Sequence, residues 1–157
     1  LQGGASNIYT IFGDSTTTLT APAAYQEAAP FGANVGGVNP AFVAVSATAA
    51  VDSWLTVGIT AGDAAGALSS IGIDWDSWTE DTGLTVEDGA VFWMSPDDAP
   101  HVPESAVAQL TLPNTVTEWV AVLNAQNVLK KRQGQMHWQI LVYHTISLLK
   151  RIMLVYY

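Results

Sequence analysis

Val51-Asp52-Ser53-Trp54-Leu55-Thr56-Val57-Gly58-Ile59 alternates in a way that decides the fold class. Val51, Leu55, Val57 and Ile59 fall on one face, with Ser53 between them, and Asp52, Trp54, Thr56 and Gly58 fall on the other. A period of two predicts a half-buried β-strand. Phe42-Val43-Ala44-Val45 just before it predicts another strand. Upstream, residues 22–40 hold Pro22, Pro30, Gly32, Gly36, Gly37 and Pro40, a density that predicts a long shaped loop. Residues 8–12 and 15–20 predict the first two strands. Downstream, apolar or β-branched runs at 68–73, 90–94, 106–112 and 116–123 predict more, separated by turn signals such as Gly62-Asp63 and Ser95-Pro96-Asp97-Asp98. No segment before residue 125 combines helical periodicity with a capping signature. The expected fold is all-β, an antiparallel β-sandwich or jelly roll.

Charge divides the 157-residue chain. The five basic residues are Lys130, Lys131, Arg132, Lys150 and Arg151, whereas the fourteen acids run from Asp14 to Glu118. Residues 1–129 therefore carry −14 and residues 130–157 carry +5, for a net charge of −9. The last proline is Pro113, and twelve of the thirteen glycines precede residue 130. These shifts set the expected boundary between an acidic β-sandwich module at 1–126 and a basic, apolar tail at 127–157. A segment without Lys or Arg cannot neutralise phosphates, which excludes nucleic acid as a partner of the module. Anionic lipid would repel it too, so no membrane contact is expected of 1–126. The absence of cysteine excludes disulfides, thiolate metal sites and a cysteine nucleophile. A chain opening on Leu1 is expected of a fragment or a processed protein.

The tail admits three readings: sequence introduced by a frameshift or a read-through intron, an interfacial or anchoring helix in contact with membrane, or an ordinary domain helix. The run from Trp138 to Leu149 contains Gln139 and His144 and stops at Lys150-Arg151, too short and too polar for a membrane span. As a helix it would carry Ile140, Leu141, Ile146, Leu148 and Leu149 on its apolar side.

Little in the module suggests catalysis. His101 is its lone histidine, set among Pro100 and Pro103, and no Gly-x-Ser-x-Gly elbow accompanies it. Fourteen acids make some pairing of carboxylates inevitable, so a pair alone does not indicate a glycosidase. Calcium is the one cofactor the composition suggests, held by oxygen ligands from Asp74 and Asp76 or from Asp97 and Asp98, with Glu80 and Asp81 or Glu87 and Asp88 as further candidate clusters. The competing reading of these acids is turn capping, in which the carboxylate accepts free backbone N–H groups. Trp54, Trp75 and Trp78 are the candidate ligand contacts, because aromatic faces beside carboxylates and amides are what sugar-binding surfaces use. Trp93, within Val91-Phe92-Trp93-Met94, is expected in the core.

Val51-Asp52-Ser53-Trp54-Leu55-Thr56-Val57-Gly58 and Gly89-Ala90-Val91-Phe92-Trp93-Met94-Ser95-Pro96-Asp97-Asp98, together with Pro30-Phe31-Gly32-Ala33-Asn34-Val35-Gly36-Gly37, resemble β-rich modules of secreted or surface proteins from microalgae and some bacteria. The resemblance covers roughly residues 5–126. It implies an extracellular or cell-surface location and no enzymatic activity. The expected function is that of a non-catalytic module for adhesion, matrix building or coat assembly, with a surface protein or an extracellular polysaccharide as partner. The alternative is a carbohydrate-binding module aided by calcium.

Overall fold

A computed structural model of the chain describes residues 8–100, 102, 104–127, 138–146 and 149–156. Among them the strands are β1 (Ile8–Gly13), β2 (Leu19–Ala21), β3 (Trp54–Leu55), β4 (Leu68–Ile71), β5 (Leu84–Val86), β6 (Gly89–Trp93), β7 (Ser105–Pro113), β8 (Asn124–Asn127), β9 (Trp138–Ile146) and β10 (Leu149–Tyr156). One sheet has the order β4-β6-β1-β8, a second β3-β7-β10-β9, and β2 and β5 form a two-stranded ribbon. All these strand pairs are antiparallel. The fold is the expected all-β sandwich.

A single core joins the three sheets. Ile11, Val91 and Leu68 enter it from the first sheet, Leu55, Leu110 and Ile152 from the second, and Leu19 and Leu84 from the ribbon. In β6 the core-facing Val91 is fully buried while its neighbours Ala90 and Phe92 are half-buried, the period of a strand with one wet face. In β7 every residue from Val107 to Leu112 is buried, so both faces of this central strand are covered.

That double cover explains where the sequence expectation departs from the structure. The predicted strand over 51–59 is reduced to Trp54–Leu55, paired with Gln109 and Ala108 of β7. Residues 51–57 are all buried, on both faces of the expected alternation. Leu55 points into the main core, and Trp54 packs on the other side with Val38 and Ala49. The outer face of the second sheet is roofed by the stretch from Tyr25 to Ser53, which makes several hydrogen bonds to it. Tyr25 N–H donates to the Thr111 carbonyl at 2.8 Å, and Thr111 N–H donates to Ser53 Oγ at 2.9 Å.

Phe42-Val43-Ala44-Val45 does not form a strand. Its first two residues close a one-turn helix, α1 (Pro40–Val43), because Asn39 accepts from Ala41 N–H at 2.9 Å and Pro40 supplies a helix-compatible φ. Of the predicted strand at 116–123, only Val122 takes part in pairing, through a bridge to Thr20. Of the run at 68–73, β4 covers Leu68–Ile71 and stops before Gly72, whose φ of 68° is left-handed.

The helical readings of the tail do not hold for 138–146 and 149–156. Both are strands: β10 pairs with β7 from Leu149↔Pro113 to Tyr156↔Ser105, and β9 pairs with β10. Isoleucine, valine and leucine suit a strand when a waiting sheet edge supplies hydrogen bonds. Ile152 and Leu154 complete the core, and Met153 joins the Trp54 cluster on the opposite face. In the second sheet, β10 from the basic segment pairs with β7 from the acidic one. Ile152→Ala should lower the unfolding free energy by about 2–4 kcal/mol, measured by urea denaturation. An unchanged midpoint would place β10 outside the core.

Candidate functional site

Asp52 organises the roof over the second sheet. Its carboxylate is buried and accepts three backbone N–H groups: Glu27 and Ser53 on Oδ1 at 2.8 and 2.9 Å, and Ala33 on Oδ2 at 2.7 Å. The loop between Glu27 and Ala33 is gripped at both ends. Phe31 and Gly32 N–H groups close it on the Ala28 carbonyl at 3.0 and 3.1 Å, and Ala29-Pro30 is a cis peptide. A Cβ at Gly32 would strike the Glu27 carbonyl, so only glycine fits there. Beside the loop, the Tyr25 hydroxyl donates to Glu27 Oε2 at 2.8 Å. Burial, reinforced by this bond, raises the Tyr25 pKa above its usual 10.0.

The second wall comes from residues 74–79. Asp74 leads into a tight turn at Trp75–Ser77, where both the N–H and the Oγ of Ser77 donate to the Asp74 carbonyl. Ala24 N–H donates to the Thr79 carbonyl at 3.0 Å and holds this wall against the loop. Trp75 is half-buried and donates from Nε1 to Ser70 Oγ at 3.1 Å. It leans on Trp78, with ring centroids 6.3 Å apart and planes tilted by 35°. Between the walls lies a cavity of about 320 Å³, lined by Gln26, Glu27, Asn34, Trp75 and Asp76, with Trp78 beneath. Gln26 Nε2 is buried and has no hydrogen-bond partner among the described residues. Aromatic surface, amides and carboxylates therefore share one small cleft.

The structure divides the sequence candidates. Trp75 and Asp76 meet in the cleft. Trp78 is only 2% exposed and donates to the Pro22 carbonyl at 2.9 Å, so it supports Trp75 and offers no open face. Trp54 is likewise 2% exposed, packed away from the cleft, and is corrected from ligand contact to core residue. Its face was expected to be open because the pattern of 51–59 shows alternation but not the roof. Trp93 is half-buried against the core and donates to the Val57 carbonyl at 2.7 Å. Gln26, Glu27 and Asn34 were missed as site residues, since nothing in a Gly/Pro-rich loop marks which side chains will face a wall formed by Trp75 and Asp76, far along the chain.

Asp74, Asp97 and Asp98 are exposed, the last two in a turn at Pro96–Asp98, and none of them is brought into the cleft with Asp76. Among the described residues, no three of Asp, Glu or His gather into a group able to hold a metal ion. Capping carboxylates do occur, at other positions. Asp14 accepts from Thr16 and Thr17 N–H, and Asp63 from Ala67 and Leu68 N–H. His101 lies outside the described residues. Among those described, no helix is long and apolar enough to cross a membrane.

The chain matches no known protein family, no curated protein and no solved structure. No enzyme family or enzyme relative is therefore found for it.

Burial pushes Asp52 up from 3.8 to about 6; its three backbone donors oppose the shift, and the charge of Glu27 adds to it. The folded value lies above the unfolded one. Between the two, the native state binds more protons, and stability falls as pH rises. This contribution is fully present below about 4 and lost above about 6. Asp52→Asn should flatten that part of the pH dependence, read as the difference between urea midpoints of the two proteins across the window. Equal slopes would show that Asp52 does not titrate there.

Proposed function

We propose that this chain is a non-catalytic β-sandwich module of an extracellular or cell-surface protein, and that it serves adhesion, matrix or coat assembly by binding polysaccharide at the Trp75 cleft. The observation that carries this reading is the half-buried Trp75 beside Gln26, Glu27, Asn34 and Asp76 in a cavity of about 320 Å³. A sugar ring presents an apolar C–H face and a rim of hydroxyls. The indole suits the first, and amide and carboxylate oxygens suit the second. The unpartnered Gln26 Nε2 is a donor ready for a ligand oxygen. The secreted setting rests on the resemblance of the Asp52–Gly58 and Gly89–Asp98 stretches, and a cysteine-free chain is compatible with it when the core suffices. Calcium enters as an aid to the ligand, to be tested by its addition.

Titration of the full chain with a panel of oligosaccharides, with and without calcium, should give a saturable change in tryptophan fluorescence. Trp75→Ala should weaken the response at least about tenfold, equivalent to about 1.4 kcal/mol, without shifting the urea midpoint by a comparable amount. Trp78→Ala should instead destabilise the fold, by about 3–5 kcal/mol. A folded protein that responds to no saccharide would overturn the carbohydrate reading.

A further inference from the structure

We infer that the Trp75 cleft selects cationic saccharides, those whose sugar units carry a free amine, over neutral and acidic ones. The inference rests on the reading of the cleft as a sugar site and adds the charge of the ligand.

Two carboxylates, Glu27 and Asp76, stand at opposite walls of the cavity, on the loop held by Asp52 and on the turn that carries Trp75. Among the described residues, no basic side chain lines it. The cleft is lined by residues between Gln26 and Trp78, and residues 1–129 contain neither Lys nor Arg. The groups left to meet a ligand are therefore an indole face, two carboxylates, the Asn34 amide and the free Gln26 Nε2 donor.

Each of these treats ligand charge differently. An indole face attracts an ammonium group through its quadrupole. A carboxylate holds an ammonium more strongly than a hydroxyl, because donor and acceptor then carry opposite charges. The same carboxylates repel a uronate or a sulfate, and no described cation is at hand to offset that repulsion. Gln26 Nε2 donates to a ring or hydroxyl oxygen whatever the ligand charge, so it supplies affinity without selecting. Selection falls to the indole face and to the carboxylates of Asp76 and Glu27, and Asp76 is exposed and thus replaceable without disturbing the fold.

The test compares a glucosamine hexamer, an N-acetylglucosamine hexamer and an oligogalacturonate of similar length, all at one pH of about 6.5 so that the state of Asp52 is common to every arm. Calorimetry on the full chain should give an affinity for the glucosamine hexamer at least about tenfold above that for the acetylated one, with the ratio falling as salt is added. The oligogalacturonate should not bind. Asp76→Asn should reduce the preference toward unity, weakening binding of the glucosamine hexamer by more than binding of the acetylated one.

Equal binding of both hexamers would overturn the charge selection and leave the sugar site standing. A preference that survives both Asp76→Asn and Trp75→Ala would assign it to the acidic surface at large, and would overturn its placement in the cleft. Binding of no hexamer would overturn the sugar site itself.

Discussion

The Asp52 carboxylate is the contact on which the organisation of this protein turns. A charged group taken out of water must replace its lost hydration, and Asp52 does so in part with three backbone N–H groups from two separate stretches of chain. The side chain therefore ties the loop at 27–33 to the segment that enters the second sheet. The next residue continues the tie, since Ser53 Oγ accepts from β7, and Gln109 of the same strand donates to the Asp52 carbonyl at 2.7 Å. Trp54 and Leu55 then face opposite sides of the sheet and fill one cluster each. The Asp-Ser-Trp-Leu sequence reads as a joint between roof and sheet.

The same economy recurs across an acidic chain that has few basic partners. Its structural carboxylates are matched to backbone donors at turns, at Asp14, Asp52 and Asp63. The remaining acids stay in water, where they repel one another weakly and keep the chain soluble. Glu27 and Asp76 are the exceptions with a shared address. They face one cavity because Asp52 holds the loop and because the turn at Trp75–Ser77 is braced on the core by Trp78. A structural carboxylate thus determines where two others are displayed.

Much of the fold was legible in short runs. Ile8 to Phe12, Ala90 to Met94 and Ala106 to Leu112 fall within a residue or two of β1, β6 and β7, since apolar β-branched runs between turn residues report backbone preference and burial together. Phe42 to Val45 misleads for the opposite reason. Local capping by Asn39, with Pro40 at the first helical position, outweighs β-propensity there. The tail misleads in mirror image, because a free edge on β7 turns an apolar run with helical possibilities into β10. Of the candidate site, Trp75 and Asp76 were legible as an aromatic and an acid in a polar stretch. Gln26, Glu27 and Asn34 were not.

The amino-acid sequence by itself determined the fold class, the turn positions and the negative charge of residues 1–129, because alternation, Gly/Pro placement and side-chain ionisation are local properties. Only the tertiary structure decided which tryptophan keeps an accessible face. Trp54, Trp75 and Trp78 are chemically alike, and they differ in what lies above them: the roof over the first, open cavity beside the second, and the ribbon and Pro22 around the third. That difference depends on contacts between residues distant along the chain, set by the gain from burying apolar surface and by the need of each buried polar group for a partner.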